Sequence, residues 1–319
     1  MVLTNSADET ANFLTRRLVD ASVAFIRVDT DAFAQSITLS ATDQGASLAI
    51  NGANYSPEDF SHVWLRRPKP LLLEGVPNGS DIQYVRQEWS AALEGFLGAI
   101  KKERWINHPA NNACASHKVE QIVRARDFGL LVPRTLVTQS KEQLRQFFEQ
   151  NNGDIIVKPL TGGYVRRAAP RHDTVIYTNA VSSDDIHQFQ PFAACPTLFQ
   201  QRINKAFDVR ITVVDDDVHV VSLKATESNG VQRLDIRRKR MEDVIYELIE
   251  IPRGMRARLL SYVRSYNLRF AAIDMSVNTR GEWIFFEVNP NGQWAWMDLA
   301  GISNISESFV QSFRRCGKS

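Results

Sequence analysis

An α/β (α+β) protein built in three parts is the fold class that this 319-residue sequence predicts. Three observations carry it. Short apolar runs alternate with helix-spaced apolar residues over positions 1–110, and a new helix–strand pattern opens at Asn111. The closing stretch then carries long alternating strands around turn residues. We expect an N-terminal α/β domain over 1–110, a central subdomain over 111–198 and a C-terminal subdomain with an antiparallel sheet over 199–319.

In the first part, Ala21–Val28 and His62–Leu65 read as short buried strands, and Asp81–Lys102 carries apolar residues at helical spacing. Trp64-Leu-Arg66-Arg67-Pro68 places two arginines just after a strand, where ligands of α/β domains bind, so Arg66 and Arg67 are candidates for a substrate carboxylate.

The second part opens with an amphipathic helix that starts at Lys118 and is closed by Gly129, followed by the strand Thr135–Val137. Ser140 and Gln143 form a capping-box pattern for a helix through Phe148, which Asn151-Asn-Gly153 ends. Asp154–Lys158 is a strand ending in a lysine. A loop with Gly162 and Gly163 follows, then basic residues including Arg166, Arg167 and Arg171, then a strand over Val175–Thr178. Backbone amides in such a glycine loop can approach phosphates closely.

In the third part, strands at Thr197–Arg202, Phe207–Val214 and Val218–Leu223 surround the acidic turn Asp215-Asp-Asp217. A helix over Pro252–Tyr266 precedes a hairpin of Phe270–Val277 and Glu282–Val288, joined by Asn278-Thr-Arg-Gly281. Asp274 and Glu287 lie inside its apolar strands, where an unpartnered carboxylate is costly. Glu287 and Asn289 are two apart and so share a face, and the hairpin can bring Asp274 beside them. Three hard oxygen donors suit Mg²⁺ completed by phosphates. Structural ion pairs with arginine are the other reading.

Composition limits the partners. Lys+Arg number 38 against 36 Asp+Glu, a net charge of +2, which gives no general argument for nucleic acid or membrane binding. Arg233, Arg237, Arg238, Lys239 and Arg240 form a local basic run of the kind usual on solvated faces. Cys114, Cys195 and Cys316 are scattered and odd in number, suggesting neither disulfide framework nor zinc knuckle and fitting a reducing cytoplasm. The N-terminus lacks a signal-peptide pattern, and no apolar run reaches membrane-span length.

Taken together, Lys118, Lys158, the Gly162-Gly163 loop and the Asp274, Glu287, Asn289 face resemble the ATP-grasp superfamily. The resemblance implies that the two lysines and the glycine loop hold nucleotide phosphates. It implies further that Phe199-Gln200-Gln201-Arg202-Ile203 is the adenine hinge, with Gln201 where the family usually has Glu. Asp208 lies near the nucleotide, and Arg210 faces the acyl phosphate. Glu287-Val-Asn-Pro-Asn-Gly-Gln-Trp294-Ala-Trp296, the Trp64–Pro68 segment and Leu234-Asp235-Ile-Arg237 are similar to one branch, the graspetide synthetases or ω-ester peptide ligases, which include the microviridin macrocyclases.

For that branch, the resemblance implies ATP and Mg²⁺ as cofactors and an acyl phosphate on an Asp or Glu of a precursor peptide. Attack by Ser or Thr gives an ester and attack by Lys an amide, with ADP and phosphate released. Asp235 and Arg237 fall near the peptide, whose leader and acidic core are the expected partners, and Arg66, Arg67, Arg166, Arg167 and Arg171 are candidates to meet its carboxylates. A homodimer is expected, with Trp294 and Trp296 suiting a dimer or peptide interface. The alternative functions are an ATP-grasp ligase for a small molecule or protein tail, of the glutathione synthetase or ribosomal-tail glutamate ligase type, and a nucleotide-binding module without turnover.

Overall fold

The computed structural model describes residues 1–319 apart from 36, 73–79, 168–171, 190–194, 239–240 and 316–319. At the N-terminus a parallel sheet runs in the order Arg27–Asp29, Val2–Thr4, Val63–Leu65, Trp105–Ile106. The helices Glu9–Asp20 and Ser80–Gly98 accompany it. The expected strand over Ala21–Val28 shrinks to Arg27–Asp29. The reason is the helix before it: Ala21 caps that helix, and Ser22 takes a left-handed φ of 54° to turn the chain out. A second sheet, Ile37–Thr42, Gly45–Ile50 and Ala53–Tyr55, was not foreseen; it sends Leu48 and Ile50 into the same core as Leu3, Val63 and Phe96.

The central antiparallel sheet has the order Asn179–Ala180, Ile155–Lys158, Thr197–Gln201, Thr135–Thr138. Helix Lys141–Gln150 packs Leu144 and Phe147 against Ile155, Val181, Ile186 and Phe199. Ser140 caps it by accepting from the Gln143 amide at 3.3 Å. The reciprocal half of the expected capping box is missing, because the Ser140 amide goes to the Thr138 hydroxyl (2.9 Å) and that hydroxyl donates to Gln143. Thr197–Gln201 belongs to this sheet over its whole length, so a division between 198 and 199 would cut a strand.

The strand expected over Val175–Thr178 is replaced by two short ones. Thr174–Val175 pairs with Tyr164–Val165, and Asn179–Ala180 pairs with Ile156 and Val157. Between them the Ile176 amide donates to Gly163 O (2.8 Å) and the Thr178 amide to Asp235 Oδ2 (3.3 Å), which draws the chain away from a single ladder.

The C-terminal sheet, fully antiparallel, runs Ile245–Leu248, Asp217–Lys224, Lys205–Val214, Phe270–Asn278, Trp283–Asn289. Helix Arg253–Arg264 covers one face with Leu259, Tyr262 and Val263, joined by Ala125 of helix Lys118–Asp127. The other face packs Val214, Phe270 and Ala272 against Met297, Phe309, Leu14 and Trp64. Covered on both sides, the central strand Phe270–Asn278 reads as a nearly unbroken apolar run. Trp294 lies inside that second core, 0% exposed and stacked on Phe309 with centroids 5.0 Å apart. This corrects the expectation that it faces a dimer partner or peptide: a fully buried ring fills the core, and removing it would cost about 3–5 kcal/mol. Trp296 is half-buried against Tyr246.

Candidate active site

Register, set by the apolar pattern of three strands, puts the chemistry in one row. Arg210 pairs with Asp274, and Asp274 pairs with Glu287 on the next strand. Asn289 pairs with Ala272, one step along the same face as Glu287. A bulge between Asp274 and Met275 sets Phe286 outside the regular ladder beside Glu287.

Each carboxylate is met by a cation. Arg210 Nη1 donates to Asp274 Oδ1 at 2.7 Å, and Lys118 Nζ lies 3.0 Å from Glu287 Oε2. Burial pushes the Glu287 carboxyl up, but Lys118, Lys158 and Arg210 outweigh it and hold the group below its ordinary value. Asn289 Oδ1 accepts from the Asn291 amide at 2.9 Å.

Lys118 opens its helix, where a cation opposes the macrodipole, so helix stability does not account for it. Its ammonium reaches instead to Glu287, Pro159 O (3.2 Å) and Thr161 O (3.4 Å), tying the glycine loop to the hairpin. Lys158 faces the same cleft, its ammonium 5.7 Å from the centre of the Phe286 ring. Burial lowers it to about 8 against the pull of Glu287. Gly163, at φ 73°, has no room for a side chain: a Cβ would stand 2.6 Å from Ile176 O. Gly162 has open space around it.

In the segment expected to be the hinge, Gln201 N donates to Arg134 O (2.9 Å) and Gln200 is buried with its amide donating to the Thr135 hydroxyl (2.9 Å). The buried Gln200 thus fixes the hinge strand, while Ile203 lines a cavity of about 240 Å³ with Arg202, Lys205 and Gln232. That cavity borders the end of strand Thr197–Gln201, and its lining includes neither Lys118 nor Lys158 nor the carboxylates of the row. Asp208 is held by two of the lining residues, Lys205 at 2.9 Å and Gln232 at 3.0 Å. Burial raises its carboxyl in spite of Lys205.

Asp235 anchors Arg237 through two contacts of 2.9 and 2.7 Å, and Arg237 lies over Tyr177. The bond to Asp235 raises the Arg237 guanidinium further, and Glu287 and Asp274 add to this, which puts it in the field of the same cleft. Of the arginines expected to meet the peptide's carboxylates, Arg67, Arg166 and Arg167 are exposed and Arg171 lies outside the described residues. In the basic run, Arg233 is buried toward Asp243 (3.1 Å) and Arg238 reaches Asn179, while Lys239 and Arg240 fall outside the described residues. Arg66 is corrected: 0% exposed and bonded to the Asn291–Gln293 loop, it meets no solvent and so no substrate carboxylate.

Two supporting residues escaped sequence reasoning. Gln121 exchanges hydrogen bonds with the Val288 backbone, both at 3.0 Å, capping the edge of the ligand strand. Asn107 donates to Phe270 O (2.8 Å) and Pro290 O (3.2 Å). Gln121 left a signal, a polar side chain on the buried face of its helix beside Ala125.

The donor set fits a divalent cation. It consists of oxygens alone, on one face, and Glu287 is held ionised. Among the described residues no cluster of three or more His, Cys, Asp or Glu stands ready for a metal, so Mg²⁺ here would rest on two carboxylates and an amide, completed by other oxygens.

Residues 1–113 match the family described as MvdD pre-ATP grasp domain, and residues 120–275 match the prokaryotic glutathione synthetase ATP-grasp domain. No curated protein matches in sequence. Among solved structures, a RiPP-associated ATP-grasp ligase from Chryseobacterium gregarium, in complex with ADP and a leader and core peptide, superposes with a TM-score of 0.84 at 25% identity, covering 100% of this chain and 96% of that one. Macrocyclase MdnB from Microcystis aeruginosa gives 0.77 at 26% identity, covering 98% of each chain. Macrocyclase MdnC from the same organism, bound with precursor peptide MdnA, shares the fold at 0.82 and 23% identity over 98% of each chain. With the pre-ATP-grasp and ATP-grasp domains in this order and the Arg210–Asp274–Glu287 row in place, the chain belongs to the ATP-grasp superfamily, in its graspetide synthetase branch.

Proposed function

We propose that this chain is an ATP-dependent peptide ligase that activates Asp or Glu side chains of a ribosomal precursor peptide as acyl phosphates and closes them onto Ser, Thr or Lys as ester or amide macrocycles. The observation that carries the reading is the row Arg210, Asp274, Glu287 with Lys118 and Lys158 converging on it. Lys118 and Lys158 supply positive charge for phosphates. Asp274, Glu287 and Asn289 would hold Mg²⁺, which when bound neutralises charge on the transferring phosphoryl group. Arg210, aimed by Asp274 and by Gln293 O (2.8 Å), is placed to stabilise charge growing on the acyl phosphate. Arg237, fixed by Asp235, faces the peptide side, and a guanidinium there suits the acidic core.

The small-molecule or protein-tail ligase stays behind this reading, since the glutathione synthetase match spans only the nucleotide-binding core, whereas the N-terminal match is to the pre-ATP-grasp domain of the peptide branch. With the reading come a cytoplasmic site of action, a homodimer, no nucleic-acid or membrane partner, and a three-part division at 110 and near 201, moved from 198 to keep the hinge strand whole. Among the described residues no helix is long and apolar enough to cross a membrane. The test is incubation with Mg²⁺, ATP and the peptide encoded beside the gene, followed by mass spectrometry. Loss of one water per ring supports the ligase; ADP release with the peptide unchanged overturns it. Native mass spectrometry of the same sample reads the dimer.

A further inference from the structure

Arg66 leaves the parallel strand of the N-terminal domain and spends its fork on three consecutive residues of the C-terminal one. Nη1 donates to Asn291 O and to Gly292 O (3.1 Å), and Nη2 donates to Gln293 Oε1 at 2.7 Å. Asp8 Oδ2 stands 3.4 Å from Nε, and both side chains are almost wholly buried. The Thr10 hydroxyl donates to the same Gln293 oxygen.

Further contacts of the gripped loop lead to the site. The Asn291 amide donates to Asn289 Oδ1 at 2.9 Å, and Gln293 O accepts from Arg210 Nη2 at 2.8 Å. Gly292 passes so close to Arg210 and Ala272 that a Cβ would stand 2.7 and 2.3 Å from them. A displacement of this loop would therefore move both Asn289 and Arg210.

A pair built only for stability would be a poor choice here. Burying a guanidinium and a carboxylate carries a desolvation cost that their attraction barely offsets, and apolar side chains of similar volume commonly serve as well. What an arginine adds is a planar fork that fixes several acceptors in one geometry.

We infer that Arg66 is a positioning residue: from the N-terminal domain it sets the Asn291–Gln293 loop, and through it the orientation of the metal-ligating Asn289 and of Arg210. This rests on the nucleotide–metal reading of the site. It also makes the N-terminal domain part of the catalytic apparatus rather than a peptide platform alone.

The test compares Arg66→Met, Arg66→Lys and Gln293→Met with the unchanged protein, well below their unfolding midpoints. Mn²⁺ binding to the protein–ADP complex is read by electron paramagnetic resonance, and hydrogen exchange is read at the Asn291 amide. Arg66→Met is expected to weaken Mn²⁺ by about 10–100-fold, the usual effect of losing a residue that orients a ligand. Exchange at Asn291 should quicken, and ADP affinity without metal should hold. Arg66→Lys restores charge beside Asp8 without the fork and should recover stability more than Mn²⁺ affinity. Gln293→Met keeps the Arg66–Asp8 pair and decides the matter if Arg66→Met fails to fold. Folded variants with unchanged Mn²⁺ affinity and unchanged exchange would overturn the inference. Intact Mn²⁺–ADP binding by the unchanged protein with no peptide dehydrated, the Arg66 variants still losing Mn²⁺, would overturn the ligase reading instead and leave Arg66 its role.

Discussion

The ligand hairpin and the glycine loop meet at Lys118, yet they are built in opposite ways. Phe270–Asn278 pairs along nearly its whole length on both sides and is buried at almost every position. Across the cleft, Tyr164–Val165 and Thr174–Val175 pair over two residues each, with Tyr164, Val175 and Ile176 exposed. A ladder sealed in a core opens only with global unfolding, whereas a two-residue ladder with exposed apolar side chains opens at small cost. The carboxylates thus stand on the rigid half and the glycine loop on the half that can yield. Placing ligands on a rigid strand keeps their geometry when the loop opens.

The largest effect should come from the rigid half. Glu287→Gln keeps shape and removes charge, so turnover should fall by roughly 10²–10³-fold or more, the scale for losing one preorganised electrostatic partner. Stability should change by about 1 kcal/mol or less, since the Glu287–Lys118 pair is partly exposed. Peptide dehydration by mass spectrometry and a thermal melt read the two. A large loss of stability with turnover retained per folded molecule would return Glu287 to the role of structural ion pair.

Gly292→Ala tests how tightly the rigid half is packed. Its Cβ would stand 2.3 Å from Ala272 Cβ and 2.7 Å from Arg210 Nη2, neither able to move freely inside the sheet. Overpacking of this kind costs about 1–3 kcal/mol, and a displaced Arg210 should lower kcat more than it raises KM. A melt and steady-state kinetics check it.

How much of this was legible follows the same contrast. The hairpin, the shared row of Arg210, Asp274 and Glu287 and the strand ending in Lys158 were readable because alternation over long buried strands fixes both face and register. The Val175–Thr178 strand was misplaced because four β-prone residues give no sign that Gly163 and Asp235 will take the amides between two short ladders. Arg66 was placed at the site but on the wrong side of it. Sequence put a guanidinium at a strand end; only the fold shows that the end is roofed by the Asn291–Gln293 loop. Trp294 failed likewise, because a tryptophan in a motif does not say which side is covered. Gln121 and Asn107 act through backbone partners far along the chain, which no local pattern encodes.

Lys158 lies on the border between the halves and gives a pH signature. Burial lowers its ammonium from 10.5 to about 8, Glu287 pulling it partly back. Between those values the unfolded chain binds the extra proton, so stability should rise with pH from about 8 toward 10.5, the cost of burying the charge being fully present below about 8. Nucleotide binding should run the other way. Phosphates need the ammonium, so ADP affinity should fall above pH about 8, approaching tenfold per unit. Lys158→Met should be weaker in ADP affinity at pH 7 and flat where the unchanged protein slopes; calorimetric titration across pH reads both. A parallel slope in the variant would assign the titration to another group.

The smallest effect sharpens the comparison most, because it separates two adjacent glycines. Gly163→Ala forces a Cβ to 2.6 Å from Ile176 O at a φ of 73°, so the short ladder should be lost or the protein destabilised, and any loss of ADP affinity would follow from that. Gly162→Ala meets nothing within 4 Å. Its effect on the melt should stay within about 0.5 kcal/mol, as for an unhindered surface change. If the open space beside Gly162 is where phosphates approach the backbone, ADP affinity should still fall by about 2–10-fold, about 0.4–1.4 kcal/mol. Unchanged ADP affinity in Gly162→Ala would make the pair an ordinary turn, with Gly163 serving the ladder and Lys118 and Lys158 alone holding the phosphates. Reduced affinity with an unchanged melt would show that the yielding half of the cleft contributes backbone as well as charge.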